Sequence, residues 1–446
     1  MINMASIFDK ILFNLPEVEH PKEKKVSFKT KLKWTLITLI TFFVLGLVPL
    51  FGADASVMQQ FEYLSIILGA QFGSIISLGI GPIVTASIVL QLLNGSGIVK
   101  FDLTSETGKK RFQGVQKLLA IFFIIFEAYI YVAVGGLRAT AGVSPALIIF
   151  QLILGGFLIM MMDEVISKWG FGSGISLFIA ANVSQSLFIR ALSFVKAQGS
   201  EFSVGAIPAL FQALAANEPT LAGLMLASLI TTVAIFLVVV YVQSMNVELP
   251  LSYGRVRGYG IRWPLKFLYT SNIPVILIAA LMANIQLFGR LAGNNGSGGI
   301  LAWLQAPSLV SMIIKGNVAP IHFAQAAVYM VILIGGAVLF SMFWVQTSGL
   351  DARSQAKNIM NSGLQMPGFR RDERVLERVL DRYIKPLTVM GGIAVGLLAG
   401  LADISGALSS GTGILLTVMI IYQLYEQIAK QHMMDMNPAM RKFMGK

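Results

Sequence analysis

Ten apolar stretches dominate this sequence, at roughly 34–52, 74–95, 116–136, 142–162, 172–192, 222–243, 267–288, 323–346, 386–403 and 407–428. Each is close to the ~20 residues a helix needs to cross the hydrocarbon core of a bilayer. Only 13% of the residues are charged and 55% are hydrophobic, where a soluble chain carries about 25% charged residues. That deficit, with a mean hydropathy of +0.74, places the chain in lipid. It predicts an all-α integral membrane protein with ten transmembrane helices.

Other apolar segments are not read as spans. Tyr63 to Val99 is uncharged and too long for one span. Gly69 and Gly73 divide it, which predicts a short half-helix before Gly69 that does not cross. Phe202 to Asn217 and Leu291 to Ile314 are interrupted by Gly, Pro or Asn and are placed in outer loops. Met1 to Leu15 repeats apolar residues at helical spacing and stops at Pro16. It reads as an amphipathic helix lying in the membrane interface rather than a cleaved signal peptide.

Charge sets the orientation. With ten spans both termini share a face. Of the 34 Lys and Arg residues, all but Arg138, Arg190, Lys196, Arg290 and Lys315 fall on it. Positive charge stays on the cytoplasmic side, so both termini are expected there. Two long basic loops, 249–266 and 351–385, project from that face. The first carries Arg255, Arg257, Arg262 and Lys266 and no acid, which suits an anionic partner. Topology alone also draws arginines to this side, but a loop this long exceeds what topology needs. Arginine, moreover, suits bidentate contact with phosphate.

The spans repeat internally. Ile80-Gly-Pro82-Ile-Val84 in the second matches Asn272-Ile-Pro274-Val-Ile276 in the seventh. Gly172-Ser-Gly174-Ile175 opens the fifth, and Gly411-Thr-Gly413-Ile414 opens the tenth. The period is five spans, an odd number, so the halves are expected to be inverted, with a central pathway at their interface.

Catalytic and cofactor signals are missing. The sequence has no phosphate-cradling G-x-x-x-x-G-K-[ST], no H-E-x-x-H and no nucleophile elbow. It has no cysteine, and His20, His322 and His432 stand far apart. Glu127 is the one ionisable residue deep in a span, with Asp163 and Glu164 at the edge of the fourth. An ion-coupled transporter usually carries more polar groups at the midplane. The residues beside Pro82 and Pro274 are aliphatic, which suits a hydrophobic gasket that closes by dewetting. Ordinary packing of the aliphatic residues, inert kinks at the prolines and a structural hydrogen bond at Glu127 are the plainer readings of the same residues.

Several runs resemble the SecY family, the large subunit of the protein-conducting channel. They are Ser77 to Val84, MDEVISKWGFGSGISLFIAANVSQ (162–185), VELPLSYGRVRGYGIRWPLKFLYTSNIPVI (247–276) and GALSSGTGILLTVMIIYQLYEQ (406–427). The pattern is closer to the archaeal and eukaryotic branch. The resemblance implies an hourglass channel with a waist of six aliphatic side chains: Ile80, Val84, Ile175, Ile179, Ile276 and Leu416. It implies a plug at about 57–70, by position only, and a lateral gate between the second and third spans and the seventh and eighth. The gate's polar cluster would be Thr85, Glu127 and Asn284, and ribosome docking would fall to Arg255, Arg257, Arg370 and Arg371. It further implies two small membrane subunits, gamma (SecE) and beta, as partners, with the ribosome, signal sequences, nascent polypeptides and membrane lipid, but not DNA. No cofactor or metal is implied.

The expectation is therefore a multi-pass, non-enzymatic protein of the cytoplasmic membrane that conducts secretory polypeptides and inserts membrane segments. Its organisation would be a cytoplasmic segment 1–33, halves 34–193 and 222–430 joined by an external linker 194–221, and a cytoplasmic tail 431–446. A secondary transporter with inverted repeats is the main alternative. A membrane-embedded enzyme would need more than a lone Glu127. The chain has no energy-converting motif, so the drive must come from a partner.

Overall fold

The computed structural model describes residues 12, 14–22, 26–53, 73–95, 97–99, 101, 105–133, 137, 139–140, 142–196, 201–253, 260–270, 273–291, 300–361, 364–365, 372–409 and 411–436. In chain order the helices are α1 (Phe28–Leu47), α2 (Gly81–Gly95), α3 (Glu106–Ala133), α4 (Pro145–Trp169), α5 (Gly174–Leu192), α6 (Ala206–Ala215) and α7 (Pro219–Ser244). Strands β1 (Asn246–Tyr253) and β2 (Gly260–Lys266) follow. Then come α8 (Ile273–Leu291), α9 (Ile300–Trp303), α10 (Leu309–Ile314), α11 (Pro320–Thr347), α12 (Ala352–Asn361), β3 (Leu364–Gln365), α13 (Glu373–Ile404) and α14 (Gly411–Met436).

Among the described residues, eight helices are long and apolar enough to cross a membrane: α1, α3, α4, α5, α7, α11, α13 and α14. Helices α2 and α8 contribute shorter apolar stretches, Gly81–Asn94 and Ile273–Met282. The expected second span opens instead with turns over 74–80, where Gly79 takes a positive φ of 57°. Pro82 and Pro274 are each the second residue of a helix. There a proline lacks only an N–H that would go unbonded anyway, so both start helices rather than kink them.

Several segments read as loops are folded. Residues 206–215 form α6, whose small residues Ala206, Ala209 and Ala213 are buried, and α6 packs on α5. The 351–385 region holds α12 and the first part of α13, capped by the Asp372 side chain, which accepts from Arg374 N at 2.9 Å. The 249–266 loop forms most of an antiparallel hairpin, from Asn246↔Lys266 to Ser252↔Gly260, so the fold is not purely helical. Its prolines hid it. Pro264 sits on the outer strand of the order β2-β1-β3, and Pro250 lies beyond the two residues of β1 that pair with β3. A missing N–H costs no ladder bond at such edges. Nor is the loop free of opposing charge: Arg262 donates to Glu248 across the hairpin at 3.0 Å. The amphipathic helix expected at 1–15 lies outside the described residues, apart from Leu12, Asn14 and Leu15, of which Leu12 is buried.

The chain divides into two compact units. The first comprises residues 1–87, 113–232 and 407–446. Its core joins α1, α3, α4 and α5, with Phe42 stacked on Phe178 at 4.6 Å between ring centroids. Between helices in lipid there is little hydrophobic drive, so close packing carries the association. At Gly155 of α4 the Ile75 carbonyl oxygen approaches so closely that a Cβ would overlap it. The 73–80 turns are held further by Ile75 N to Val48 O and Leu50 N to Gly73 O, both 2.9 Å.

The second unit comprises residues 88–112 and 233–406. Here α13 lays Gly392, Gly396 and Gly400 against Val338, Ile334 and Met330 of α11. Below that contact a second core gathers Leu249 and Leu251 of β1, Leu265 of β2, Ala352, Ala356 and Ile359 of α12, and Leu376, Leu380 and Ile384 of α13. The spacing of the α13 residues is one helical face. The two basic loops thus share a single packed core.

Replacing Gly155 with alanine should lower the thermal unfolding midpoint of the solubilised protein, because the obstacle is backbone. Gly335→Ala should leave it unchanged or slightly higher, since nothing lies within 4 Å of that position. Equal midpoints for the two variants would contradict the packing described.

Candidate functional site

The six aliphatic residues of the expected waist sit at or near helix starts. Ile80 ends the turns before α2, and Val84 is the fourth residue of α2, as Ile276 is of α8. Ile179 is the sixth residue of α5, as Leu416 is of α14. Ile175 is the second residue of α5. Val84, Ile276 and Leu416 are buried, and Ile80, Ile175 and Ile179 are half-buried. Within the first unit α5 packs on α14. Ile276 belongs to the second unit.

The start of α5 is held in an unusual way. Ser173, at the position that normally caps a helix, makes no side-chain cap bond. The cap comes from α4: Asp163 Oδ1 accepts from the backbone N of Ile175 at 2.8 Å. Gly174 lies against the accepting residue itself, where a Cβ would stand 2.6 Å from Asp163 Cα. From the sequence Asp163 was only an acid at the edge of a span. The glycines between it and Ile175 were the available signal, because they allow a close return of the chain.

The neighbouring Glu164 gathers a polar cluster at the same end of α4. It pairs with Lys117 of α3 and accepts from Val18 N at 2.9 Å. Lys168 donates to Glu17 Oε1 at 2.5 Å and to the Val18 carbonyl at 2.6 Å, and Trp169 Nε1 donates to the Glu19 carbonyl at 2.9 Å. The Lys168 bond holds the Glu17 carboxyl below the usual carboxylate range. These contacts pin segment 17–19 to α4. At the far end of α5, Arg190 donates to the Leu408 carbonyl at 2.9 Å, and Leu408 N donates to Thr232 of α7 at 3.0 Å.

Of the expected gate cluster, the structure brings two members together. Thr85 Oγ1 donates to Glu127 Oε1 at 3.4 Å, and Glu127 is buried. Gln116 of α3 also bonds Ser87 of α2 at 2.6 Å. Asn284 lies on α8 in the second unit. Arg255, Arg257, Arg370, Arg371 and the expected plug at 57–70 fall outside the described residues. Their attachment points are described, however. β1 ends at Tyr253 and β3 at Gln365, and the register pairs Ser252 with Gln365 and Tyr253 with Leu364. The two arginine-bearing segments therefore leave the sheet from adjoining residues. Nearby, Tyr269 donates to the Leu350 carbonyl at 2.7 Å. Among the described residues no three His, Asp or Glu side chains gather to hold a metal.

Among the described residues, eight apolar helices long enough to cross a bilayer define a multi-pass membrane protein with helical spans. The SecY family profile matches residues 74–425. The protein translocase subunit SecY of Methanocaldococcus jannaschii is 42% identical, over 98% of this chain and 99% of its own length. A solved SecY, described as having a plug domain that stabilises the closed state of its translocation channel, superposes with a TM-score of 0.82 at 40% identity, covering 98% of this chain and 99% of that one. Sec61 from a canine ribosome–channel complex gives 0.78 at 39% identity with the same coverage. The chain belongs to the SecY family: it is a protein translocase channel subunit, not an enzyme.

Proposed function

We propose that this chain forms the central pore through which secretory polypeptides cross the cytoplasmic membrane and from which apolar segments pass sideways into lipid. Ten spans in two inverted five-helix halves, 34–193 and 222–430, would surround the pore, with both termini in the cytoplasm. The observation that carries this reading is the matched placement of aliphatic residues: Val84 and Ile276 hold one position, Ile179 and Leu416 another, at the starts of helices the repeat pairs. With Ile80 and Ile175 they form a waist that excludes water without recognising any particular side chain. A plug at about 57–70, assigned by position, would close it at rest.

In the mechanism, the ribosome docks through RNA phosphates on Arg255, Arg257, Arg370 and Arg371. The adjoining roots of the two segments on β1 and β3 support a single docking surface, and a homologous channel was solved in a ribosome complex. A signal segment then enters between α2–α3 and α8–α11, beside Thr85, Glu127 and Asn284. Its partition is favourable: ten leucine-like residues gain about 3–6 kcal/mol at ~0.3–0.6 each, whereas one central Lys or Asp costs ~2.5–3.5. That difference sorts inserted from translocated segments with no chemistry by the channel. The polypeptide is driven by the partner, and small gamma (SecE) and beta subunits complete the assembly.

Replacing Ile80 and Ile276 together by glycine should raise the resting ion conductance of the channel in planar bilayers several-fold; an unchanged conductance would contradict the gasket. Ribosomes should co-sediment with the solubilised protein at low salt and release it as salt rises. The double substitution Arg255→Glu/Arg257→Glu should abolish that binding, and equal binding by variant and wild type would remove the docking role.

A further inference from the structure

We propose that Asp163 is a positioning residue for the waist, fixing Ile175 through that residue's own backbone amide. This rests on the waist reading above and adds to it a part of the structure that holds the gasket in register. A helix start leaves its first N–H groups without partners inside the helix. Chain-local residues usually satisfy them. Here the adjacent Ser173 does not, and the acceptor comes from α4 at 2.8 Å. The start of α5 is therefore referenced to a neighbouring span and not to its own connecting loop.

The geometry blocks movement in both directions. Toward α4, Gly174 already lies where even a Cβ would meet Asp163 Cα at 2.6 Å and Oδ1 at 2.7 Å. Away from α4, the Asp163–Ile175 bond breaks. At the other end Arg190 holds α5 to the Leu408 carbonyl, just before α14. A residue in a helix is set by a 1.5 Å rise and 100° of rotation from the last. Loss of the first bonded turn would free Ile175 from that frame and swing its side chain by several ångströms. A constriction that seals by dewetting admits water once one apolar wall residue is displaced. Asp163 touches neither the pore nor the polypeptide in this account; it acts only through α5.

The test compares resting conductance in planar bilayers for wild type, Asp163→Ala, Asp163→Asn and Ile175→Gly, with ribosome co-sedimentation as the control for folding. Asparagine retains the Oδ1 acceptor. The proposal expects a several-fold leak from Asp163→Ala, near-wild-type tightness from Asp163→Asn, and a leak from Ile175→Gly. A tight Asp163→Ala beside a leaking Ile175→Gly overturns the positioning role and leaves the waist standing. A tight Ile175→Gly removes Ile175 from the waist and the proposal with it. An Asp163→Asn leak equal to that of alanine also overturns it, because charge rather than the cap would then matter. Should Asp163→Ala fail to assemble, hydrogen exchange of the wild type decides. An Ile175 amide as protected as those of the α5 interior supports the cap, and one exchanging like a frayed end refutes it.

Discussion

Everything in this structure depends on satisfying backbone hydrogen bonds where no water is at hand. Helices do this internally, but a helix that begins inside the bundle cannot. At three such joints a specific neighbour supplies the partner: Val48 O for Ile75 N, Asp163 for Ile175 N, and Thr232 for Leu408 N. Irregular backbone at membrane depth persists only where protein covers it or where it lines a pathway. The proposed waist residues Ile80, Val84, Ile175 and Ile276 stand at or within one turn of helix starts. Structural necessity and the proposed pathway thus meet in the same short segments.

The apolar spans were legible because an uncharged run of that length has few alternatives. The sequence pattern also paired the second span with the seventh and the fifth with the tenth, and the structure starts α2 and α8 at matching distances from Pro82 and Pro274. The hairpin was not legible. Gly and Pro in PLSYGRVRGYGIRWP read as a loop, and only tertiary pairing shows that both prolines lie at free edges. Arg262 looked unopposed because Glu248 lies one residue outside the loop as delimited. Helix α6 was missed because Gly205 and Pro208 read as interruptions, although both sit at its start. Asp163 was seen but given no role, since a cap from another helix leaves no local spacing rule.

With the proposed aliphatic waist, the channel would act mostly by apolar exclusion. Polar groups are placed around the spans: Glu164, Lys117, Lys168 and Glu17 at one end of α4, and Arg190 at the far end of α5. Such clusters tie helices together without offering a ligand site in the path. On the proposed reading, such a pathway would tolerate any polypeptide sequence, and selection would come from partition into lipid and not from recognition.

The most direct test of the account is site-specific crosslinking to an arrested chain. The protein has no cysteine of its own, so single substitutions Ile80→Cys, Val84→Cys, Ile175→Cys, Ile179→Cys, Ile276→Cys and Leu416→Cys can each be paired with one cysteine in a stalled secretory polypeptide. The account predicts that all six form disulfides with the same narrow window of that polypeptide. Exposed positions such as Phe236→Cys and Val331→Cys, 49% and 70% accessible, should not. Equal crosslinking at Phe236 and Val331, or none at the six, would contradict a common aliphatic waist.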